Sequence, residues 1–372
     1  MTLGRRRPVL LLLMLTTLLI LLLILTLQVA ALVSGTGMAS SSLRRDSALP
    51  NLELAQIYTD IAQQAVQHTP DWPRNQQFVS LLQQDDKGHY VAPTFNDGLG
   101  PIGTYALLKD NAQAQTILRY ALQMSMVQFV KAAKTLYGIP NDSVNKSPAE
   151  STYNDSNAWF AYQPKPESLH MCIVIFQEHF SLLKGHADMQ AIWKPFPTEI
   201  MPKFVQTLTH SIRQEFTTGI PLRLHSIFWT PDGALIAGLV QDNSNSNSED
   251  NDNNNEKSTS FAQLRKVCVS VAEEVLPIPL TTRPKKLIHV TLGRILEKPK
   301  TESAQESLTK LMQDFNRDEL PQLTATIRTS AEFNFGRFDV EKVYLLREIV
   351  WMCNFYKELA VVNLVDGTSE NK

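Results

Sequence analysis

Hydrophobic and polar positions along this chain follow two different periods, and the switches between them mark its elements. Leu52, Leu54, Ile57, Ile61 and Ala65 recur at helical spacing and predict a helix over 51–67. Ile117, Leu118, Leu122, Met126, Phe129 and Val130 predict a second over 111–137. Between them, Gly88, Pro93, Gly98, Gly100 and Pro101 make an irregular stretch with room for a short strand at 89–95. From Glu167 onward, short β-branched runs predict strands at 169–176, 222–229, 234–240 and 286–295. Amphipathic helices are expected at 199–216, 261–276 and 302–315, and closing strands at 323–329, 340–347 and 356–364. Thr230-Pro-Asp-Gly233 is hairpin-turn chemistry, so at least part of the sheet is antiparallel and the class is α+β.

One apolar run fits neither period. Residues 9–33 carry no charge, are dominated by Leu and follow Arg5, Arg6 and Arg7. At about 1.5 Å per residue the run exceeds the roughly 30 Å hydrocarbon core, which favours an uncleaved signal anchor over a removed signal peptide. The positive-inside rule then expects a single-pass membrane protein with its C-terminal domain lumenal or extracellular, or a secreted protein if the segment is cleaved. Residues 1–34 are read as cytosolic tip and anchor, 35–50 as a stalk, 51–160 as a helical region and 161–366 as the main domain. Sequons at Asn141 and Asn154 in an Asn-, Ser- and Pro-rich loop agree with that topology; Pro148 spoils the one at Asn145.

Composition narrows the function classes. The 372 residues are 43% hydrophobic and 19% charged with a net charge of −2, which excludes wholesale disorder and a bulk electrostatic grip on nucleic acid. The Asn-, Ser- and acid-rich tract at 241–260 reads as a solvated insertion, and Asp250-Asn-Asp252 within it as loop rather than the metal-binding pair of a glycosyltransferase. Cys172, Cys268 and Cys353 are odd in number and lack ligand spacing, so buried free thiols are expected and no metal or cofactor is implied.

The chemistry concentrates in two strands. His170-Met-Cys172 and His289-Val-Thr291 each place a histidine and a small polar residue at i and i+2, on one face of a strand. Two imidazoles across a groove form a complementary acid and base, and a hydroxyl beside each would hold a phosphoryl oxygen. Strand parity turns Arg294 away from His289 unless the strand bulges. His225, His179, His186 and His210 rank lower, as connecting-strand, loop or solvated-helix positions.

Three segments, Pro166 to Phe176, Pro284 to Arg294 and Tyr356 to Leu364, together with the intervening order of helix, hairpin and helix, resemble the two-histidine phosphoesterase superfamily of 2′-5′ RNA ligase-like proteins and cyclic phosphodiesterases. The resemblance covers about residues 160–365 and implies two pseudo-symmetric lobes of antiparallel sheet around a central groove with outer helices. It implies His170 and His289 as the acid/base pair, with Thr291 and Cys172 beside the phosphate; by position along their strands, Arg294 is a further candidate phosphate contact and Tyr356, with Tyr344, a candidate to line the groove and stack on a base. The expected activity is metal-independent opening of cyclic phosphates or cleavage of 2′-linked phosphodiesters in RNA ends or small nucleotides. The alternative is a weakened or inactive relative that binds a nucleotide or a protein partner. Cys172 separates the two, because the family pattern has Thr or Ser there and a thiol donates a weaker hydrogen bond.

Overall fold

The computed structural model describes residues 51–84, 86, 90–91, 94–95, 100–139, 160–176, 196–242, 260–277, 280, 287–350, 355–365 and 368–371. Apart from a short ribbon that pairs Gln83–Gln84 with Tyr90–Val91, the strands of the described residues fall into two five-stranded sheets, paired antiparallel throughout. In chain order they are β1 (Ile102–Leu107), β2 (Ala161–Tyr162), β3 (His170–Ile175), β4 (Ile220–Trp229), β5 (Ala234–Gln241), β6 (His289–Ile295), β7 (Arg337–Val340), β8 (Lys342–Val350), β9 (Phe355–Asn363) and β10 (Ser369–Asn371). The first sheet has the order β10-β9-β8-β1-β3 and the second β2-β6-β5-β4-β7. The two histidine-bearing strands, β3 and β6, lie against each other where the sheets meet.

The helices are α1 (Asn51–Gln67), α2 (Trp72–Val79), α3 (Ala112–Leu122), α4 (Gln128–Ala133), α5 (Met201–Glu215), α6 (Phe261–Val275), α7 (Glu302–Asp314) and α8 (Leu320–Thr329). Their starts are set by side-chain caps. Asp71 accepts from the Arg74 amide, Asn111 from Ala114, Ser260 from Gln263 and Thr301 from Ala304, each satisfying an amide that the first helical turn leaves without a carbonyl. A π-turn (Gln123–Val127) joins α3 to α4, making one helical run from Ala112 to Tyr137. The β4–β5 hairpin turns at Thr230-Pro-Asp-Gly233, with Gly233 at φ +77 supplying the left-handed residue.

One hydrophobic core runs behind both sheets, with Trp229, Phe129, Phe160, Phe204 and Phe261 among its fully buried side chains. A second, smaller cluster of Tyr105, Leu107, Tyr344, Leu346 and Val361 covers the opposite face of the first sheet, with Cys172, Ile175 and Tyr356 packed against it. That division shows which way β3 presents its residues: Met171, Ile173 and Val174 face the large core, Cys172 and Ile175 the other side.

Three expectations change. The architecture is α+β with two antiparallel sheets, but a transmembrane helix is not part of it: among the described residues no helix is long and apolar enough to cross a membrane. The longest uninterrupted α-helix among them, α1, has 17 residues and an amphipathic pattern that buries Leu54, Tyr58 and Ala65. Residues 9–33 lie outside the described residues, as do Asn141, Asn154, Cys353 and residues 243–259 of the polar insertion. Residues 323–329 are helical, within α8, because Leu320, Leu323, Thr324 and Ile327 bury one face at i, i+3, i+4 and i+7, and this pattern overrides the β-propensity of the threonines. The strand β1 arises in the segment read as irregular, where all six of its residues are buried and show no alternation.

Candidate functional site

The two histidine motifs share one local geometry. In β3, Leu107 pairs with His170 and Tyr105 with Cys172, after which Thr104 pairs with Val174 and Ile173 is left as the extra residue of a bulge. In β6, Gly238 pairs with His289 and Ile236 with Thr291, after which Leu235 pairs with Gly293 and Leu292 is the extra residue. Both strands thus run His, x, small residue, bulge. Directly opposed residues share a face, so the His289 face of the second sheet also carries Gly238, Ile236 and Thr291. His170, Cys172, His289 and Thr291 are all partly buried.

The His170 ring is held on two sides. Its Nδ1 lies 2.8 Å from the Ser168 carbonyl oxygen, which only accepts, so Nδ1 carries the proton and the lone pair of the neutral ring is on Nε2. Tyr105 meets the ring edge-on, with centroids 5.4 Å apart. The Tyr105 hydroxyl in turn donates to Glu348, 2.7 Å away and 2% exposed.

The strand leading into His289 is held by its backbone. The Tyr58 hydroxyl accepts from the Ile288 amide at 3.0 Å and directs its proton at the Ile288 carbonyl, at 2.5 Å, and the Leu239 carbonyl, at 3.1 Å. Burial pushes the Tyr58 pKa well up, so the hydroxyl stays neutral. Its ring lies over Gly238, where an added Cβ would come to 3.0 Å. A glycine opposite His289 is what lets α1 approach. Arg265 of α6 links both motifs: its Nη2 donates to the Cys172 carbonyl at 3.3 Å and to the Leu287 carbonyl at 2.7 Å.

Arg294 and Tyr356 are placed differently from the motif pairs. The β6 bulge reverses the parity, because Ala234 pairs with Arg294, so Arg294 returns to the face of Thr291. Its guanidinium is engaged there by Asp232 at 3.1 Å and the Asp232 carbonyl at 2.9 Å, and stacks 4.1 Å over Phe78. Burial pushes the Asp232 carboxyl up, but Arg294 and the Thr230 hydroxyl outweigh it and hold the group below its ordinary value. The pair therefore stabilises the fold above the unfolded pKa near 3.8, and this contribution is lost as pH falls through the lower folded value. Asp232→Asn is expected to lower stability at pH 7 by about 1–3 kcal/mol, with the gap to wild type closing as pH falls through the lowered folded value, as urea titrations at several pH values measure.

Tyr356 packs on the cluster with Tyr105, Tyr344 and Cys172, and the Lys109 ammonium lies 5.7 Å from its ring centre and 5.9 Å from that of Tyr344. Lys109 is ion-paired with Glu358, and the Tyr344 hydroxyl donates to Asp110. His225 sits at the β4 bulge, 5.7 Å from the Tyr58 ring, where burial together with Arg328 and Arg223 lowers its pKa. Cys268 is a buried free thiol and Cys172 a partly buried one. Among the described residues no group of three His, Cys, Asp or Glu side chains is placed to hold a metal ion.

Arg265, Tyr58 and Tyr105 were not singled out from the sequence. Arg265 left one usable signal, a charge within the apolar stripe of Phe261, Leu264, Cys268 and Ala272.

No protein-family model matches the sequence, and no curated protein matches it. Among solved structures, the chain overlaps with that of Kluyveromyces marxianus Usb1 with uridine monophosphate, at 13% identity and TM-score 0.35, over 70% of this chain and 99% of that one. It also overlaps with the structure of Kluyveromyces marxianus Usb1, at 14% identity and TM-score 0.32, over 70% and 96% of the two chains. A likeness this distant assigns no activity.

Proposed function

We propose that the chain is a phosphodiesterase that works on RNA ends or small nucleotides with His170 and His289 as its acid/base pair. The observation that supports this reading most is the matched placement of the two motifs. One guanidinium nitrogen reaches the backbone of both, so the Cys172 and Leu287 carbonyl oxygens are separated by no more than the sum of 3.3 and 2.7 Å.

In this reading His170 is the base and His289 the acid. With Nδ1–H fixed on the Ser168 carbonyl, the Nε2 lone pair takes the proton of an attacking water or ribose hydroxyl, and the oxygen so activated bonds to phosphorus. The opposite phosphorus–oxygen bond breaks, and protonated His289 donates to the leaving oxygen. For a 2′,3′-cyclic phosphate the product is a phosphomonoester; for a diester attacked by its own 2′-hydroxyl it is the cyclic phosphate. The Thr291 hydroxyl donates to a non-bridging oxygen as charge develops there. Tyr356, partly buried beside Tyr105 and Cys172, offers a ring on which a base stacks.

The test is turnover of 2′,3′-cyclic nucleotides, 2′-5′ oligonucleotides and 3′-end RNA substrates by the full chain across pH. Because one imidazole acts neutral and the other charged, a bell-shaped profile of kcat/KM is expected. A profile that rises to a plateau on either side contradicts the paired roles.

A second reading, a weakened enzyme that retains its ligand groove, is favoured by one residue. Cys172 stands in the first motif where Thr291 stands in the second, and its thiol is a poor donor to phosphate. Cys172→Thr is expected to raise kcat about tenfold, the effect of one good hydrogen bond to a charged oxygen. Turnover that appears only in the Thr variant supports the second reading; unchanged turnover removes Cys172 from the phosphate site.

A further inference from the structure

Arg265 is 4% exposed, yet it sits on α6 among Phe261, Leu264 and Cys268, where an apolar side chain of similar length would pack without loss of hydration. Burying a guanidinium carries a desolvation penalty of several kcal/mol, so its retention calls for a task that an apolar residue cannot perform. Its contacts supply one. The two hydrogens of Nη2 go to different lobes: Cys172 O, two residues after His170 on β3, and Leu287 O, two residues before His289 on β6. Those carbonyls are not ladder partners, and β3 and β6 belong to different sheets.

We infer that Arg265 is a positioning residue that sets the spacing of the two imidazoles by tying the His170 strand to the His289 strand. The inference rests on the acid/base reading of those histidines. The planar fork suits the task, because its donor directions are fixed by the guanidinium and its anchor is a helix packed against β3. The Phe261 ring, 4.9 Å below the guanidinium carbon, supports the plane from the other side. Burial draws the Arg265 pKa down to about 10, so it remains a cation at neutral pH and its hydrogen bonds to the carbonyls are charge-assisted.

The experiment compares the full-length wild type with Arg265→Gln and Arg265→Lys by melting temperature, steady-state kinetics and the ring NMR signals of His170 and His289. In Arg265→Gln, kcat is expected to fall about 100-fold with KM nearly unchanged, the signature of misplaced rather than missing groups. Both histidine signals move together, and Arg265→Lys, which keeps the charge and one or two donors, recovers part of the loss. Unchanged kcat, a loss confined to KM, or movement of one histidine alone overturns the inference. If Arg265→Gln is unfolded at the assay temperature, Arg265→Lys decides: reduced kcat with both signals displaced supports the tie, and neither change overturns it. A wild type that turns over none of the substrates counts against the phosphodiesterase reading, while the paired histidine shifts still judge the tie between the strands.

Discussion

Replacing His289 with Ala is expected to lower kcat by about 10²–10⁴-fold while the protein melts at nearly its normal temperature. The side chain is partly buried, and its backbone is held by Tyr58 and Arg265 at the two preceding residues, so truncating the ring removes chemistry and leaves the strand in place. His170→Ala is expected to have an effect of similar size. The double variant is expected to be little worse than either single one, because an acid and a base acting in one transition state form a unit whose losses do not add. Kinetics of the three variants on one substrate check this. Losses that multiply would show two independent roles instead of one concerted pair.

The second large effect is on stability and reaches the site through the first sheet. A Cβ placed on Gly100 would overlap the backbone carbonyl oxygen of Glu348 and come to 2.8 Å from its carbon. Neither strand can yield easily, since the Glu348 amide donates to the Pro101 carbonyl at 2.9 Å and β1 is fully buried. Gly100→Ala is therefore expected to destabilise the fold by about 3 kcal/mol or more, seen as a fall in the urea midpoint. Glu348 also accepts from Tyr105, whose ring abuts His170, so turnover at temperatures where the variant remains folded is expected to drop as well. A variant of normal stability would show that β1 and β8 approach less closely at this point.

The histidine strands were legible because β-branched alternation around His170 and His289 survives in single-strand patterns, and so did most of the helices, whose apolar stripes are long. What was hidden followed from the physics of the particular segments. β1 is buried on both faces and flanked by Gly and Pro, so it offers no period to read. α8 carries three threonines that favour strands, and only its burial at i, i+3, i+4 and i+7 identifies it as a helix. The bulge after each motif leaves no compositional mark, yet it alone brings Arg294 back to the Thr291 face, where Asp232 engages it. The tie between the lobes was the least visible, because a hydrogen bond from Arg265 to two carbonyls depends on backbone positions that no side-chain pattern encodes.

The measurement that bears most directly on the paired-histidine site is a crystal structure of the full chain with a nucleoside monophosphate. The expected result is a phosphate whose oxygens lie about 3 Å from a ring nitrogen of both His170 and His289, with the Thr291 hydroxyl on a third oxygen. A phosphate seated elsewhere, or in contact with one imidazole while the other faces away, contradicts it.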